Sequence, residues 1–565
     1  MNFRKPADGR NAFPLAVLVL LAAVIATIPA SATNCTVAAL TALNVPNVTI
    51  TSATDVAAAP PQPEYCDVKG SVATSGFGAG PGSAGFESKL PTNWNGKFLF
   101  NGVGGLAGNL GSSANPVDQA LFLVKGYATG VTDTGHLNTN PTWEYTSPGA
   151  PNTSAITDYF YRAVHEATVA TKALTKAYYN APRITRSYFD GCSNGGKMGF
   201  EEATRFPDDY DGIVAGAPWL DPLGTELWAL KNTKALLNDY IPTSLYPAIE
   251  SAVTAQCDAV DGVVDGLIQD PAKCSFDPDS LVPGTLTQGQ ADALKGIVKP
   301  VRAQDGDLIY PGTSYSNLGT QLGSYERSTP PTDPTGAHPW GTLSAPGGWN
   351  LGIGIILSLG YYDQSVDLNN AVENNGMVFE SARKLLYHNL AGDIPDDPSR
   401  LHHFLQKGGK IIIYHGYSDN TISPYRSIWY YQDLAEQLGG YHETQEHVRL
   451  FMVPGMHHCA GGSFPNAFDT LTALENWVEN GVAPDSIIAS HITSNVVDRT
   501  MPLCKYPEQA RYNGSGDVNN AANWTCPPHD RSLLQVGRNG RQAGLTGDLD
   551  DDRDDEPDHH HHNEH

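Results

Sequence analysis

The stretch YFDGCSNGGKMGF, residues 188–200, places a serine inside a Gly-x-Ser-x-Gly frame. A short strand-like run precedes the frame, and the helix-forming segment KMGFEEATRF follows it. A strand, a sharp turn and a helix in this order form the context of a nucleophile elbow, in which glycines permit the tight backbone and the serine hydroxyl projects. The pattern therefore predicts that Ser193 is a nucleophile.

Other short apolar runs in the chain also end at Gly-rich or polar turns, and an amphipathic stretch of helical period, residues 154–180, lies between the first run and the serine segment. Strands that alternate with helices in this way indicate a parallel sheet with crossover helices. We expect an α/β-hydrolase fold, with polar side chains delivered at the carboxyl ends of the strands. The other runs are KFLFNGVGGLAG (97–108), YDGIVAGAPW (210–219), KIIIYHGYSD (410–419) and VRLFMVPGMHHC (448–459).

A serine nucleophile needs a histidine base, and the base needs a carboxylate that fixes its tautomer. In the hydrolase fold these partners follow in the order Ser, Asp, His at strand ends, and Asp419 and His458 fit that order. His415 and His457 compete for the role of base. We interpret His415 as a structural histidine that bonds to the backbone, while His457 is harder to exclude.

The chain contains eight cysteines, and an exported chain with an even number of them favours disulfides over metal or redox chemistry. Cys192 directly precedes Ser193 and Cys459 directly follows His458, so a bridge between them would hold nucleophile and base together. The alternative is that Cys192 is a free nucleophile and Ser193 a bystander. The simplest full pairing is Cys35 with Cys66, Cys257 with Cys274, Cys504 with Cys526, and Cys192 with Cys459.

Backbone amides are needed to stabilise the anion that forms during acyl transfer. One donor is predicted to be the amide of Asn194, directly after the serine, and the other the amide of Gly104 or Gly105 in the cluster NGVGGLAG. A Gly-rich loop can bind phosphate instead, but neither a Walker lysine nor a dinucleotide fingerprint accompanies this one.

The first 32 residues have three cations, an apolar run and a small-residue cleavage pattern. This predicts a secretory signal peptide rather than the alternative, a membrane anchor, and a secreted or periplasmic protein that does not bind membranes after cleavage. The formal charge of −25 argues against a nucleic-acid partner. Residues 531–565 end in an acidic, His-rich run that is typical of a disordered tail.

From residue 220 to residue 395 the alternation of strands and helices fades, and the sequence is rich in Pro, Gly, Ser and Asn. We predict a lid domain inserted here, between two parts of the catalytic domain at 33–219 and 396–530. Trp340, Trp349 and the tyrosines of GYYD in the lid are candidates to stack on an aromatic acid, with core packing as the alternative.

The loop CDAVDGVVDGLIQDPAKC, residues 257–274, concentrates carboxylates between two cysteines. Clustered carboxylates and carbonyls suit a hard cation such as calcium, although the spacing departs from the EF-hand pattern and a solvated acidic turn is the alternative. A bracketing disulfide favours the site because it preorganises a loop that like charges would push apart. The candidate ligands are Asp258, Asp261, Val263, Asp265 and Leu267.

The chain resembles the tannase and feruloyl esterase family of secreted α/β-hydrolases. The resemblance extends to about Cys526 and rests on GCSNGG with DDYDGIVAGAPW, on YHGYSDNTISP, on VPGMHHCAGG and on the acidic loop. One departure is His457, where many relatives have glycine. The resemblance implies a disulfide between Cys192 and Cys459, the triad Ser193, Asp419 and His458, and calcium held by Asp258, Asp261, Val263, Asp265 and Leu267.

The family resemblance implies hydrolysis of small aromatic acid esters, such as galloyl, feruloyl or chlorogenic esters of plant cell walls and polyphenols. One relative cleaves a terephthalate monoester, so an esterase for terephthalate or phthalate monoesters is an alternative. Residues 328–382 contain no lysine or arginine to pair with a free carboxylate, which favours neutral phenolic esters. An alternative of another class is a non-catalytic hydrolase scaffold that binds a partner.

Overall fold

The computed structural model describes residues 33–137, 141–303, 308–334, 339–341, 344–366 and 377–528. The predicted signal peptide, residues 1–32, and the predicted tail, residues 531–565, lie outside the described residues. Within the described ranges, no helix combines the length and the apolar character needed to cross a bilayer.

The centre of the fold is a nine-stranded sheet in the order β1-β2-β3-β5-β4-β8-β9-β12-β13. The six strands from β5 to β13 in this order are parallel, and β1 to β3 add an antiparallel extension at one edge. Among the described residues, the remaining strands pair two by two, as β6 with β7, β10 with β11, β14 with β15 and β16 with β17. The strands are β1 (Val48–Val56), β2 (Tyr65–Gly76), β3 (Ala79–Pro91), β4 (Lys97–Asn101), β5 (Ala128–Thr132), β6 (Tyr145–Ser147), β7 (Ala150–Pro151), β8 (Arg186–Cys192), β9 (Gly212–Gly216), β10 (Val301–Arg302), β11 (Leu308–Tyr310), β12 (Lys410–Gly416), β13 (Val448–Val453), β14 (Ser486–Thr493), β15 (Val496–Cys504), β16 (Arg511–Tyr512) and β17 (Trp524–Thr525).

Helices connect the parallel strands and cover the sheet, which is the arrangement that a parallel sheet requires. Two π-helical segments, Asp158–Arg162 and Ile356–Tyr361, interrupt the helical stretches. The α-helices are α1 (Val37–Thr41), α2 (Pro116–Leu121), α3 (Thr153–Thr157), α4 (Ala163–Tyr178), α5 (Asn194–Arg205), α6 (Pro222–Leu237), α7 (Tyr246–Cys257), α8 (Gln288–Val298), α9 (Leu318–Tyr325), α10 (Gly347–Ile355), α11 (Met377–Leu390), α12 (His402–Gln406), α13 (Pro424–Leu438), α14 (Tyr441–Gln445) and α15 (Thr470–Asn480).

The inner strands are buried on both faces, as their continuous apolar runs predict. Every residue of β9 and of β13 is buried, and so is every residue of β12 except Lys410 at its start. Because these strands run parallel, their carboxyl ends meet at one edge of the sheet, where the site lies.

A long insertion separates β9 from β12 and contains the helices α6 to α11. Its helix α6 packs against α10, where a Cβ on Gly352 would lie 3.0 Å from the carbonyl oxygen of Glu226. The exact bounds of the lid domain, 220–395, stay a prediction.

A buried ion pair anchors the π-helical segment that leads to the site. The Nε of Arg162 lies 2.6 Å from Oδ1 of Asp158, and both side chains are buried. Arg162 also donates to the carbonyls of Gly76 and Gly80, at 3.0 and 2.9 Å, and so fastens α4 to the β2–β3 hairpin.

We predict that Asp158→Ala lowers the free energy of unfolding by about 3–5 kcal/mol, because it leaves the Arg162 charge buried without its counter-charge. Denaturant unfolding measures the change. Asp208→Ala removes an exposed partner of Lys407 and is expected to cost at most about 1 kcal/mol. Equal costs for the two variants would contradict the structural role given to the buried pair.

Candidate active site

Ser193 lies in a strained turn between β8 and α5. Its φ of 64° and ψ of −127° are unfavourable for a residue with a side chain, and the conformation is that of a nucleophile elbow. The amide of Ser193 donates to the carbonyl of Gly216 at 2.9 Å, and its carbonyl accepts from Trp219 at 3.1 Å. The end of β9 and the loop after it therefore hold the turn through two backbone hydrogen bonds.

The glycines of the frame are required by close backbone contacts. A Cβ on Gly191 would lie 2.8 Å from the backbone of Gly195, and a Cβ on Gly195 would lie 3.0 Å from the carbonyl carbon of Gly102; a Cβ on Gly196, directly after the frame, would lie 2.7 Å from the carbonyl oxygen of Gly216. Any side chain at these positions would push β4, β8 and β9 apart at the site. The sequence frame thus reflects packing as well as turn geometry.

Asp419 and His458 meet at the carboxyl ends of β12 and β13. Nδ1 of His458 lies 2.7 Å from Oδ2 of Asp419, which is fully buried, whereas His458 is partly exposed. The other oxygen, Oδ1, accepts the amides of Thr421 and Ile422 at 2.8 and 2.9 Å. The carboxylate is therefore fixed in orientation and fixes the imidazole in turn.

The environment of Asp419 keeps it ionised. Burial by itself raises the pKa of this carboxyl, but the charges and hydrogen bonds of His458 and His415 outweigh it and bring the pKa well below its ordinary value. A charged Asp419 accepts the Nδ1 proton of His458, which leaves Nε2 of that ring as a proton acceptor.

The two competing histidines occupy different positions. His415 is fully buried; its Nε2 lies 3.2 Å from the carbonyl oxygen of Ile422, as the structural interpretation predicts, and also 3.1 Å from Oδ2 of Asp419. Nδ1 of His415 lies 2.8 Å from the Ser427 hydroxyl. The ring bonded to Asp419 from the β13 side is that of His458, while burial lowers the pKa of the neighbouring His457 and the charge of Asp419 offsets part of this effect.

A disulfide joins the nucleophile turn to the histidine loop. Cys192 and Cys459 are bonded, with a Cα–Cα distance of 5.8 Å, across 267 residues of chain. The alternative of a free thiol nucleophile at Cys192 is therefore not what the structure contains. The other three bridges, Cys35–Cys66, Cys257–Cys274 and Cys504–Cys526, are also those predicted.

The glycine-rich loop after β4 lies against the nucleophile turn. Nδ2 of Asn194 donates to the carbonyl of Val103 at 3.0 Å, and the hydroxyl of Tyr159 donates to Oδ1 of Asn194 and to the carbonyl of Gly105, each at 3.2 Å. Gly105 lines the cavity with Ser193 and Asn194, whereas Gly104 does not line its described part. Of the three residues predicted to supply amide donors, Asn194 and Gly105 therefore line the described cavity.

A cavity of about 120 Å³ opens onto Ser193. Residues of the insertion form much of its wall, and the rest comes from the loops after β4, β8, β9 and β12. Its described lining contains no lysine or arginine, and one carboxyl group, that of Glu226. The lining is Gly105, Leu106, Ser193, Asn194, Trp219, Thr225, Glu226, Ala229, Ser324, Tyr325, Gly347, Gly348, Leu351, Ile355, Asn420, Thr421 and Ile422.

No sequence pattern pointed to the aromatic and acidic residues of this wall, Trp219, Tyr325 and Glu226. Trp340 and Trp349 are buried and pack edge to face, with 5.9 Å between their ring centroids. The alternative interpretation of these two residues, core packing, therefore applies to them. Trp219 lines the cavity instead. The signal available for Trp219 was its position, three residues after β9, which is the strand next to the nucleophile strand.

Comparison with known proteins agrees with this geometry. The family model of "Tannase and feruloyl esterase" matches residues 66–527. The chain belongs to this family. The feruloyl esterase B structure from Aspergillus oryzae superimposes with a TM-score of 0.73 at 26% identity, covering 86% of this chain and 97% of that one. The predicted family and α/β-hydrolase fold are thereby confirmed.

Curated relatives of this family member include enzymes with different named substrates. The mono(2-hydroxyethyl) terephthalate hydrolase of Piscinibacter sakaiensis is 31% identical over 82% of this chain and 85% of its own length. Feruloyl esterase B of Aspergillus niger is 29% identical over 78% of this chain and 83% of its own length.

In the acidic loop of this family member, one buried carboxylate oxygen has no hydrogen-bond partner among the described residues. Oδ1 and Oδ2 of Asp258 accept amides of the loop, and Oδ1 of Asp261 accepts the amide of Val263 at 3.0 Å. Oδ2 of Asp261 is buried and has no partner among the described residues, and burial together with the charges of Asp265 and Asp258 raises the pKa of Asp261 to about 6. Asp265 pairs with the guanidinium of Arg499. The unpartnered oxygen of Asp261 is of the kind a cation binds, but Arg499 neutralises Asp265. The three carboxylates are also not among the described groups whose potential ligand atoms all lie within 4.8 Å of one another.

We predict that removing the disulfide at the site with Cys192→Ala and Cys459→Ala lowers both stability and activity. The loop it closes corresponds to about 5 kcal/mol in the chain-entropy model, and a displacement of about 1 Å between nucleophile and base costs about a hundredfold in kcat/KM. Thermal unfolding and ester hydrolysis measure the two effects.

Cys504→Ala with Cys526→Ala is the matched control. Its bridge spans 22 residues, and neither of its cysteines lines the described cavity, so we expect a loss of about 3 kcal/mol in stability and activity within about threefold of the parent. Similar losses of activity in the two double variants would show that the site bridge does not position the catalytic groups.

Proposed function

We propose that the chain is an exported serine esterase that hydrolyses esters of aromatic carboxylic acids through an acyl-enzyme on Ser193. The observation that carries the proposal is the strained Ser193 turn bonded, through Cys192–Cys459, to the loop whose His458 contacts a buried Asp419. Family membership supports the reaction class. Four disulfides support an oxidising, extracellular location.

The proposed reaction is supported by the His458–Asp419 hydrogen bond and by the disulfide that joins the Ser193 turn to the His458 loop. Nε2 of His458 takes the proton of the Ser193 hydroxyl as Oγ attacks the ester carbonyl, while Asp419 stabilises the imidazolium that forms. The amides of Asn194 and Gly105 bind the oxyanion. The intermediate collapses as His458 gives its proton to the departing alcohol, and the same ring then activates the water that releases the acid.

The size and lining of the cavity support an aromatic acyl group. About 120 Å³ is of the order of the ~150 Å³ apolar cavity that holds one benzene ring. Trp219, Leu106 and Ile422 supply apolar and aromatic surface to such a ring. Because the described lining offers no cation, neutral esters of phenolic acids are favoured over monoesters with a free carboxylate.

A terephthalate monoester is the second candidate substrate, and the relative from Piscinibacter sakaiensis is the observation that favours it. A non-catalytic scaffold is the candidate of another class. Labelling of Ser193 by a fluorophosphonate separates the scaffold from both esterases.

We predict that Ser193→Ala abolishes release of acid from methyl ferulate, methyl gallate or chlorogenic acid, because the acyl-enzyme cannot form. The parent protein is expected to hydrolyse one of these classes faster than a terephthalate monoester. Acid release followed by chromatography measures the rates. Faster hydrolysis of the terephthalate monoester would make that alternative the function.

His458→Gln and His457→Gln form a matched pair for the same assay. The first is expected to lower kcat by about 10³-fold or more, because no base remains for the serine. The second is expected to retain kcat within about tenfold. The reverse order would assign the base to His457.

We also propose a structural calcium ion in the acidic loop. The carboxylates of Asp258, Asp261 and Asp265 and the carbonyls of Val263 and Leu267 would hold it, and the unpartnered Oδ2 of Asp261 supports this ligand set. When bound, the ion would neutralise the like charges of the loop.

We predict that a calcium chelator lowers the melting temperature of the parent, and that added calcium restores it, because binding to the folded state stabilises that state. Asp261→Asn is expected to remove most of this response. Asp279→Asn, at an exposed acid of the same insertion, serves as the control that keeps it. If the chelator does not change the melting temperature of the parent, the proposed calcium ion is contradicted.

A further inference from the structure

Glu226 is an acid in the wall of the catalytic cavity to which the proposed chemistry gives no role. Glu226 lies on α6, and only 3% of its surface is exposed. It lines the cavity together with Ser193 and Asn194. Its surroundings in that wall, Trp219 and Ala229 among them, are mostly apolar or uncharged.

The carboxyl of Glu226 has one oxygen that no described group of the protein satisfies. Its Oε2 is buried and has no hydrogen bond among the described residues. Burial raises the pKa of this carboxyl to about 8, so the neutral acid prevails at neutral pH. A neutral carboxyl both donates and accepts a hydrogen bond, and a buried one without a partner is costly.

Comparison with other buried acids separates Glu226 from groups with a structural task. Glu201 is equally buried but accepts Nε of Arg205 at 2.7 Å, and Asp158 pairs with Arg162. Other acids also have unpartnered buried oxygens, but none of them lines the described part of the cavity: Asp67, Glu144, Asp190, Glu201 (its second oxygen), Glu202 and Asp261. Glu226 is thus the unpartnered acid whose partner a bound substrate can supply.

We propose that Glu226 determines acyl specificity by hydrogen bonding to a ring hydroxyl of the substrate acid, so that the enzyme prefers esters of hydroxylated aromatic acids. This inference rests on the proposed esterase function of the same site. A phenolic hydroxyl is neutral and can both donate and accept, which matches the neutral carboxyl in a wall of low polarity.

A charged ring substituent matches this wall less well. A carboxylate would bring a negative charge into a lining without a described cation. An ammonium group would require Glu226 to ionise against its burial. The hydroxyl needs neither change.

The test compares kcat/KM for methyl 4-hydroxycinnamate and methyl cinnamate, which differ by one hydroxyl. The parent is expected to prefer the hydroxylated ester by about tenfold or more. Glu226→Gln keeps a donor and an acceptor and is expected to keep most of this preference. Glu226→Leu is expected to abolish it by lowering kcat/KM for the hydroxylated ester alone.

Glu144→Gln is the matched control, because it alters a buried, unpartnered acid away from the cavity lining and should leave the ratio unchanged. Glu226→Ala replaces Glu226→Leu if the latter does not fold. An unchanged ratio in the apolar variant, or an equal fall for both esters, overturns the inference.

Fluorophosphonate labelling of Ser193 distinguishes the two levels of failure. If the parent is labelled but shows no preference between the two esters, the role of Glu226 is overturned while the esterase proposal stands. If the parent is neither labelled nor active on any ester, the proposed function itself fails, and the inference about Glu226 with it.

Discussion

The bond between Cys192 and Cys459 is the constraint on which the site depends. The strained serine turn follows β8 and the histidine loop follows β13, and two other strands, β9 and β12, lie between them in the sheet. Parallel packing brings all these strand ends to one edge, but loops at such an edge have few contacts of their own. The bridge fixes their separation covalently, so that the positions of Ser193 and His458 do not depend on loop packing alone.

The second constraint is electrostatic and lies between those two loops. Asp419 is fully buried, and four groups hold it: two backbone amides on one oxygen, and His458 and His415 on the other. The pKa of Asp419 in the folded state lies below its value of about 3.9 in the unfolded state. The ionised carboxylate therefore contributes to the free energy of unfolding at pH values above about 3.9, and this contribution is lost as the pH falls through the folded-state pKa. The carboxylate therefore stays charged wherever His458 can act as a base.

The sequence predicted which residues the structure brings together at the site better than it predicted the surroundings of those residues. Ser193, Asp419 and His458 follow strands in a fixed order, and the cysteines beside two of them favoured one bridge, so local pattern was sufficient. Glu226 and Trp219 lie in segments whose sequence carries no periodic signal for a cavity wall. Their role depends on how the insertion folds onto the sheet, which is a tertiary property. His415 was interpreted as a backbone partner, and its second contact, with Asp419, depends on side-chain geometry that spacing does not reveal.

The insertion and the catalytic sheet are joined at the acid loop. The hydroxyl of Ser418 accepts Nδ2 of Asn317 at 2.7 Å and lies 3.2 Å from that of Ser316, while Tyr325 donates to the carbonyl of Asn420 at 3.2 Å. These bonds attach the cavity wall to the residues on either side of Asp419. A shift of the insertion that widened the cavity would therefore pull on the carboxylate that orients the base. The cavity wall and the residues around Asp419 are for this reason held together by hydrogen bonds, and a substitution of a side chain in the wall is expected to disturb Asp419 less than a movement of the wall's backbone.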